Sequence, residues 1–211
     1  MVQQKEKKTK NLSVVVEAGG KSSRMGKNKA LLSLSGQPLI QRVVDRVKPI
    51  AQELLIVWNQ ASELDFLDVK IVDDSIHGKG ALGGLYTAMD IASNEYVAVV
   101  ACDLPFVSIE ILLKALELLV QSGADAAIPK TGETYFEPLH AVYRREPCKN
   151  AIYQAIMQNK WRVVSWLPQV NVIEMNSDIW LDLDPSGLAF FNVNTVDDFK
   201  KAEKIIQGSL K

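Results

Sequence analysis

An apolar segment that runs directly into a glycine-rich, basic loop constrains the fold of this chain more than any other feature. Residues 12–16 are mostly apolar and β-branched, which predicts a buried strand, and a helical pattern follows the loop. Glycines let backbone N–H groups crowd around a polyanion, and the arginine and lysine add fixed positive charge. The glycines of the loop are Gly19, Gly20 and Gly26, and the cations singled out as candidate phosphate ligands are Arg24 and Lys29. The pattern predicts a phosphate-binding loop between a strand and a helix.

This loop departs from both standard phosphate-binding motifs. A G-x-x-x-x-G-K-[ST] loop needs serine or threonine after the lysine, whereas Asn28 follows Lys27, and the dinucleotide pattern G-x-G-x-x-G is absent. The glycines alone would equally suit a tight surface turn with solvated basic residues. The rest of the chain has to distinguish these two interpretations.

Strand and helix signals alternate along the chain. Short apolar runs predict strands over 12–16, 54–57, 69–72, 96–101, 126–129, 139–143 and 171–175. Helical spacing and capping signals predict helices over 38–47, 82–92, 109–120 and 147–158, with Pro38 in a first turn and Ser108 as a cap. Thr195 and Asp198 predict the cap of a last helix that ends near Gly208. This alternation predicts an α/β fold with a mostly parallel, doubly wound sheet.

Length and composition limit the domain organisation and the classes of ligand. With 211 residues, 47% of them hydrophobic, the chain suits a single domain over 11–211. Residues 1–10 lack the apolar core of a secretion signal, so we expect a disordered tail and a cytoplasmic protein. A net charge of −1, and no apolar run near the roughly 20 residues of a membrane span, argue against nucleic acid and membrane partners. Two cysteines and two histidines predict neither a disulfide framework nor a zinc site.

Acidic residues follow two of the predicted strands. Asp74 and Asp103 come after apolar runs, and open α/β sheets bind their ligands at the carboxyl ends of strands. A carboxylate beside a polyphosphate needs a cation between them, and Mg²⁺ combines one or two carboxylates with phosphate oxygens and water. Asp103 is therefore the candidate Mg²⁺ ligand. The alternatives are a turn that Asp103 opens before Leu104 and Pro105 and, for Asp74, a solvated strand end.

Six motifs, in this order and spacing, resemble the molybdenum cofactor guanylyltransferases over about 12–203. They are Ala18-Gly19-Gly20, Ser23-Arg24-Met25-Gly26, Lys29-Ala30-Leu31-Leu32, Gly80-Ala81-Leu82-Gly83-Gly84, Cys102-Asp103-Leu104-Pro105 and Phe191-Asn192-Val193-Asn194-Thr195. The resemblance implies a three-layer, Rossmann-like nucleotidyltransferase fold with a mixed, mostly parallel sheet. It further implies a Mg²⁺-dependent transfer of GMP from GTP to the terminal phosphate of molybdopterin, which forms molybdopterin guanine dinucleotide and pyrophosphate. Other proteins of molybdenum cofactor biosynthesis and acceptor molybdoenzymes are the further partners that it implies.

The resemblance also implies a nucleotide-binding half over about 11–107. In that half it assigns nucleotide contacts to Ala18, Gly19, Gly20 and Asp74, phosphate binding to Lys29 and Mg²⁺ binding to Asp103, and Arg24 matches the arginine of the family's loop. We expect Arg24, Lys29 and Asp103 to be catalytic, because nucleotidyl transfer depends on positioning and on neutralised charge. Gly83 lies in a second glycine-rich segment, 78–85, which would bring backbone close to the base or sugar, or would be a turn with close helix packing.

The molybdopterin half, over about 108–211, carries the asparagine pair of the family, Asn192 and Asn194. Amides suit a pterin edge, although capping of the last helix is the alternative for Asn194. Lys160, Arg162 and Arg144 are candidates to bind the molybdopterin phosphate. The alternative for Lys160 and Arg162 is that they lie at a solvated helix end. A histidine at 140 is interpreted as a structural residue.

Two residues depart from the family pattern. Glu17 stands where the family has leucine, and a carboxylate there would either accept hydrogen bonds from guanine N1–H and the exocyclic amine or turn to solvent. Ala81 replaces a proline, which we expect to make its loop more mobile without a ligand.

Three other functions remain open from the sequence. A cytidylyltransferase that acts on molybdopterin more often has Ala-Ala-Gly in place of Ala18-Gly19-Gly20. A sugar-phosphate nucleotidyltransferase has a similar opening loop. A nucleotide-binding protein without catalysis is the third alternative, which Glu17 favours but the cations and Asp103 disfavour.

Overall fold

The computed structural model of the protein describes residues 11–19, 28–59, 61–76 and 78–208. The predictions for the tail 1–10, for Gly20, Arg24 and Gly26, and for the last three residues lie outside these ranges. Within them, no helix is long and apolar enough to cross a membrane.

Seven of the strands form one mixed sheet. The strands are β1 (Leu12–Glu17), β2 (Ser33–Leu34), β3 (Gln37–Pro38), β4 (Glu53–Val57), β5 (Lys70–Val72), β6 (Tyr96–Ala101), β7 (Ala126–Pro129), β8 (His140–Arg144) and β9 (Val172–Met175). The order in the main sheet is β5-β4-β1-β6-β8-β7-β9. β8 is antiparallel to both of its neighbours, β6 and β7, while the other adjacent strands are parallel. Strands from both halves of the chain therefore share one sheet, joined where β6 pairs with β8.

Helices cover both faces of this sheet and give the fold three layers. They are α1 (Leu39–Val47), α2 (Gly80–Ile91), α3 (Ile109–Ser122), α4 (Arg145–Met157), α5 (Ser177–Trp180) and α6 (Val196–Gly208), with 3-10 helices at Lys29–Leu31, Lys48–Ile50, Ala61–Leu64, Leu167–Gln169 and Leu188–Phe190. α1 and α3 pack on one face, and α2 and α4 pack on the other. The predicted α/β architecture, with a mixed and mostly parallel sheet, is confirmed.

The central strand β1 shows why the sheet is apolar on both faces. Val14 and Val16 belong to the apolar cluster that contains α1 and α3, whereas Val15 belongs to the cluster that contains α2 and α4. Successive side chains of a strand point to opposite faces, so a strand covered on both sides has no solvent-facing position. Glu17 has the parity of Val15, which places the last side chain of β1 under α2.

The caps of two helices are as predicted. Ser108 Oγ accepts a hydrogen bond from Ile111 N (3.3 Å) at the start of α3. Before α6, Thr195 Oγ1 accepts from Asp198 N (3.1 Å), and Asp198 Oδ2 accepts from Thr195 N (2.9 Å). This reciprocal arrangement satisfies backbone donors that a helix start leaves unpaired, and it leaves the neighbouring Asn194 side chain available for another partner.

Other details differ from the sequence predictions. α2 begins at Gly80 instead of Leu82, so Ala81 and Gly83 lie in its first turn and not in a loop. Pro38 ends β3 and precedes α1 rather than occupying its first turn. The hairpin of β2 and β3 was not predicted, because each strand has two residues; its turn has positive φ at both Ser35 and Gly36, as in a type I′ turn.

Candidate active site

A lysine and an aspartate from distant parts of the sequence meet at the carboxyl ends of the central strands. Lys29 follows β1 in the 3-10 helix Lys29–Leu31, and Asp103 follows β6, the parallel neighbour of β1. Lys29 Nζ donates to Asp103 Oδ2 at 2.7 Å, and both side chains are largely buried. The sequence predicted both residues as site residues, and the fold brings them together.

The asparagine pair surrounds this ion pair. Asn194 Oδ1 accepts a hydrogen bond from Lys29 Nζ at 2.7 Å. With its amide nitrogen turned towards the carboxylate, Asn192 donates to Asp103 Oδ1 at 2.7 Å and to Asp103 Oδ2 at 3.0 Å. Between them, Val193 N donates to Asp103 O at 3.0 Å, which fixes this segment to the end of β6. The four polar side chains form one connected cluster, which we call the Lys29 cluster: Lys29, Asp103, Asn192 and Asn194.

Glu17 is buried at the end of β1 and faces the first turns of α2. Its exposed fraction is 5%, so the alternative in which the side chain turns to solvent is wrong. A Cβ on Gly84 would overlap the Glu17 carboxyl group, so the glycine makes room for this side chain. Glu17 Oε2 has no hydrogen-bond partner among the described residues. Burial, and then the charges of Asp74 and Asp103, raise the Glu17 pKa well above its usual value.

Asp74 is held against the same helix. Its Oδ1 accepts hydrogen bonds from Thr87 Oγ1 (2.7 Å) and from Ile76 N (3.1 Å), and its own N–H donates to Asn59 Oδ1 (2.8 Å). The interpretation of Asp74 as a solvated strand end is therefore wrong. Gly83 serves this packing, because a Cβ there would lie 2.8 Å from Ile76 O. Nothing in the sequence predicted the contribution of Thr87 except its polarity within an apolar helix.

The backbone at the end of β1 opens towards the site. Ala18 is buried, and its N–H donates to Val57 O at 3.1 Å, while Cys102 N donates to Glu17 O at 2.9 Å. Gly19 is exposed, and a Cβ there would meet no atom of the described residues within 4 Å. The backbone leaves the sheet here, two residues after the end of β1.

Arg144 is absent from this site, in contrast to its prediction as a ligand of the molybdopterin phosphate. Because β8 is reversed, its carboxyl end lies at the amino end of β6, where Arg144 pairs with Tyr96. Arg144 Nη1 donates to Asp125 Oδ1 at 3.3 Å, so the arginine has a structural partner at the end of the strands that lies opposite the site.

Lys160 and Arg162 are exposed beyond the end of α4. Trp161, between them in the sequence, contacts Lys79, the residue that precedes α2. The lysine Nζ lies 3.8 Å from the centroid of the tryptophan ring. This cation–π contact was not predicted, because neither residue carries a motif.

His140, the histidine within the described ranges, and the two cysteines have structural roles. His140 is fully buried; its Nε2 accepts from Ser108 N at 3.1 Å, and burial lowers its pKa to about 4. Cys102 and Cys148 are free and buried, and burial raises both thiol pKa values. No group of three or more histidine, cysteine, aspartate or glutamate side chains in the described residues could hold a metal ion. Asp103 therefore offers a single carboxylate, which suits a cation bound mainly by phosphate and water oxygens.

Comparisons with known proteins identify the family of this chain. A sequence model of the MobA-like NTP transferase domain matches residues 14–170. A probable molybdenum cofactor guanylyltransferase from Natranaerobius thermophilus is 34% identical over 94% of this chain and 98% of its own. Another from Carboxydothermus hydrogenoformans is 36% identical over 92% of this chain and 96% of its own.

Solved structures give the same result. Molybdopterin-guanine dinucleotide biosynthesis protein A from Archaeoglobus fulgidus superposes with a TM-score of 0.82 at 30% identity, over 93% of this chain and 99% of that one. 2-C-methyl-D-erythritol 4-phosphate cytidylyltransferase from Thermus thermophilus shares the fold, with a TM-score of 0.67 at 18% identity over 92% of this chain and 98% of that one. The chain therefore belongs to the MobA-like nucleotidyltransferases, in the family of the molybdenum cofactor guanylyltransferases.

Proposed function

We propose that this protein transfers GMP from GTP to the terminal phosphate of molybdopterin and releases pyrophosphate. The observation that carries the proposal is the Lys29 cluster, which places a cation and a carboxylate where the loop after β1 leaves the sheet. The choice of GTP and molybdopterin as substrates is supported by the relatives, which are named as probable molybdenum cofactor guanylyltransferases. Proteins of molybdenum cofactor biosynthesis and acceptor molybdoenzymes belong to the same proposal, as does a cytoplasmic location, where GTP is available.

The reaction requires positioning and charge neutralisation more than covalent catalysis. A terminal phosphate oxygen of molybdopterin attacks the α-phosphorus of GTP in line, and the bond between that phosphorus and the bridging oxygen to the β-phosphate breaks. Pyrophosphate leaves with the bonding electrons. Lys29 provides a positive charge in the site, and its ammonium group can follow phosphate oxygens as their negative charge rises. Arg24, in the same loop, is proposed to assist as a bidentate partner of the leaving group.

Mg²⁺ is the proposed cofactor, and Asp103 is its proposed ligand. When bound, the ion neutralises phosphate charge and orients the α-phosphate. The Asp103 side chain is 22% exposed, which leaves the carboxylate open on one side. Both of its oxygens already accept hydrogen bonds, and Oδ2 accepts two, so we propose that Lys29 moves from Asp103 to a phosphate when a cation binds. The ion pair thus holds the two side chains close to each other until substrate arrives.

Nucleotide contacts are proposed for Ala18, Gly19, Gly20, Gly83 and Asp74. Gly83 and Asp74 are packed against each other, so they would shape the wall of the base pocket through backbone and fixed oxygens.

Glu17 is proposed to accept hydrogen bonds from guanine. The support is its position beside these residues and its buried, unpartnered Oε2. We expect Glu17→Leu to bind GTP more weakly, and to lose preference for GTP over inosine triphosphate, whose base lacks the exocyclic amine. Equal or tighter GTP binding by the leucine variant would reject this role.

The decisive experiment combines donor, acceptor and metal. The protein is incubated with Mg²⁺, molybdopterin and either GTP or CTP; the dinucleotide is identified by mass, and pyrophosphate release is followed. We expect the guanine dinucleotide, and a loss of rate by at least about 100-fold in Asp103→Asn at saturating Mg²⁺. Formation of the cytosine product would favour the cytidylyltransferase, and GTP binding without turnover would favour the noncatalytic alternative.

Asp90→Asn is the matched control for this experiment. Asp90 also pairs with a lysine, at 2.6 Å from Lys149 Nζ, but it lies in the last turn of α2, at the end opposite to the site. We expect this variant to retain the parent's rate. Unchanged pyrophosphate release in Asp103→Asn would show that the metal assignment is wrong.

A further inference from the structure

We infer that Asn192 and Asn194 are positioning residues for the Lys29–Asp103 ion pair, and that they act on nucleotide and metal binding before molybdopterin is present. This inference deepens the proposed function and rests on it. It replaces the interpretation in which the two amides contact the pterin edge.

The side chains of Asn192 and Asn194 point to the opposite side of their segment from the valine between them. Val193 is fully buried and packs in an apolar cluster with Leu34, Leu39 and Ala202. Asn192 and Asn194, on either side of it, turn instead to the ion pair. Burial of the intervening valine fixes the side of the segment on which both amides lie, as in a segment with strand-like alternation.

The hydrogen-bonding groups of the two amides match those of the ion pair. Asn194 presents its carbonyl oxygen to the lysine, which has only donors, and Asn192 presents its amide nitrogen to the aspartate, which when ionised has only acceptors. Each amide therefore contacts the residue whose charge suits it, without adding charge of its own. Hydrogen bonds to charged groups are stronger than those between neutral groups.

The two amides also act when the ion pair opens. A lysine side chain loses rotamer entropy when it is fixed, so a retained partner lowers the cost of holding it in place. Once Lys29 moves to a phosphate and Asp103 to a cation, the direct contact between them is lost. Asn192 still restrains the carboxylate, and Asn194 keeps the ammonium group near its target. The asparagines thus preserve the geometry during the exchange.

This role predicts an effect that a pterin contact would not have. Without molybdopterin, we expect Asn192→Ala and Asn194→Ala each to weaken Mg²⁺–GTP binding by about three- to tenfold in calorimetry, the value of one hydrogen bond. Both residues are exposed, so the core is not altered, and thermal unfolding checks this. Asn150→Ala, an exposed asparagine on α4, is the matched control and should bind as the parent does.

The charge of the substituted side chain provides a second measurement. Asn192→Asp places a carboxylate against Asp103 and removes the donor, so we expect weaker Mg²⁺–GTP binding than in Asn192→Ala. In a double-mutant cycle, Asn194→Ala should have no further effect on GTP affinity once Lys29 is replaced by alanine.

The results that would overturn the inference are specific. If both alanine variants bind Mg²⁺–GTP as the parent does and only the KM for molybdopterin rises, the asparagines are pterin ligands. An additive effect with Lys29→Ala would also reject the positioning role. If the parent binds GTP but makes no dinucleotide, the proposed function fails, while the coupling between Asn194 and Lys29 can still be measured in binding.

Discussion

Replacement of Glu17 by leucine is expected to stabilise the free protein, and to stabilise it more at neutral than at acidic pH. Glu17 has an exposed fraction of 5%, and its Oε2 has no partner in the described structure. A buried polar group without a hydrogen bond costs about 1–3 kcal/mol. Leucine would pack beside Val15 and Leu85, which belong to the apolar cluster under α2. We therefore expect a gain of about 1–3 kcal/mol even where Glu17 is protonated.

The pH dependence follows from the raised pKa of Glu17. Burial is the main cause, followed by the charges of Asp74 and Asp103. Below the pKa of an unfolded glutamate, about 4.3, both states are protonated and this contribution to stability is complete. As the pH rises towards the folded pKa, the unfolded state loses its proton first. The parent then loses up to about 1.4 kcal/mol per pH unit, and the leucine variant does not.

Chemical denaturation of both proteins between pH 4.5 and 8, without nucleotide, measures this difference. The difference in unfolding free energy should widen with pH. In thermal unfolding of the same two proteins, each 1 kcal/mol of this difference should raise the Tm of the leucine variant by about 2–4 °C for a chain of this size. Glu146→Leu, at an exposed site on α4, should show no such widening. A constant difference, or a leucine variant less stable than the parent, would refute the account of a buried, unpaired acid.

Two further predictions concern the packing of α2 and the buried histidine. Gly84→Ala should destabilise the parent because its Cβ would overlap the Glu17 carboxyl group, and this cost should disappear in a Glu17→Ala background. Gly83→Ala should be destabilising in both backgrounds, since Ile76 O lies 2.8 Å from the added carbon. Urea denaturation of the four combinations tests this, and equal costs for Gly84→Ala in both backgrounds would contradict it. The pKa of His140, lowered to about 4 by burial, predicts a neutral imidazole in NMR titrations down to about pH 5. Its contribution to stability should be complete above pH 6.5 and should fall by about 1.4 kcal/mol per unit as the pH drops from 6.5 towards 4, because the unfolded histidine takes up its proton first. A signal assigned to His140 that titrates near 6.5 would reject this environment.

The sequence predicts the strands of the sheet well because burial on both faces leaves an apolar run that few other structures produce. It predicts the caps of α3 and α6 because capping uses local hydrogen bonds of defined spacing. Strand direction has no such local signal. The apolar run at 139–143 is the same for either direction, yet the reversal of β8 carries Arg144 away from the site.

The candidate site shows the same limit. Lys29 and Asp103 could be predicted because their residue types and positions after strands suit phosphate chemistry. The contacts of Asn192 and Asn194 could not, because they depend on how the last segment packs against β6. The burial of Glu17 was likewise missed, since a glutamate at a strand end normally reaches solvent, and the glycine that accommodates it lies 67 positions later, at Gly84.

The capping box before α6 has a consequence for the order in which the protein becomes functional during synthesis. Lys29 lies 74 positions before Asp103 and 165 positions before Asn194. All seven strands of the main sheet are complete by Met175, so a nascent chain can assemble its sheet before it has the residues that hold the ion pair. α6 anchors the segment that carries both asparagines, so nucleotide affinity should reach its full value only when this last helix has docked. A stalled or truncated chain that ends before Phe191 would lack both asparagines and would therefore be deficient in the site.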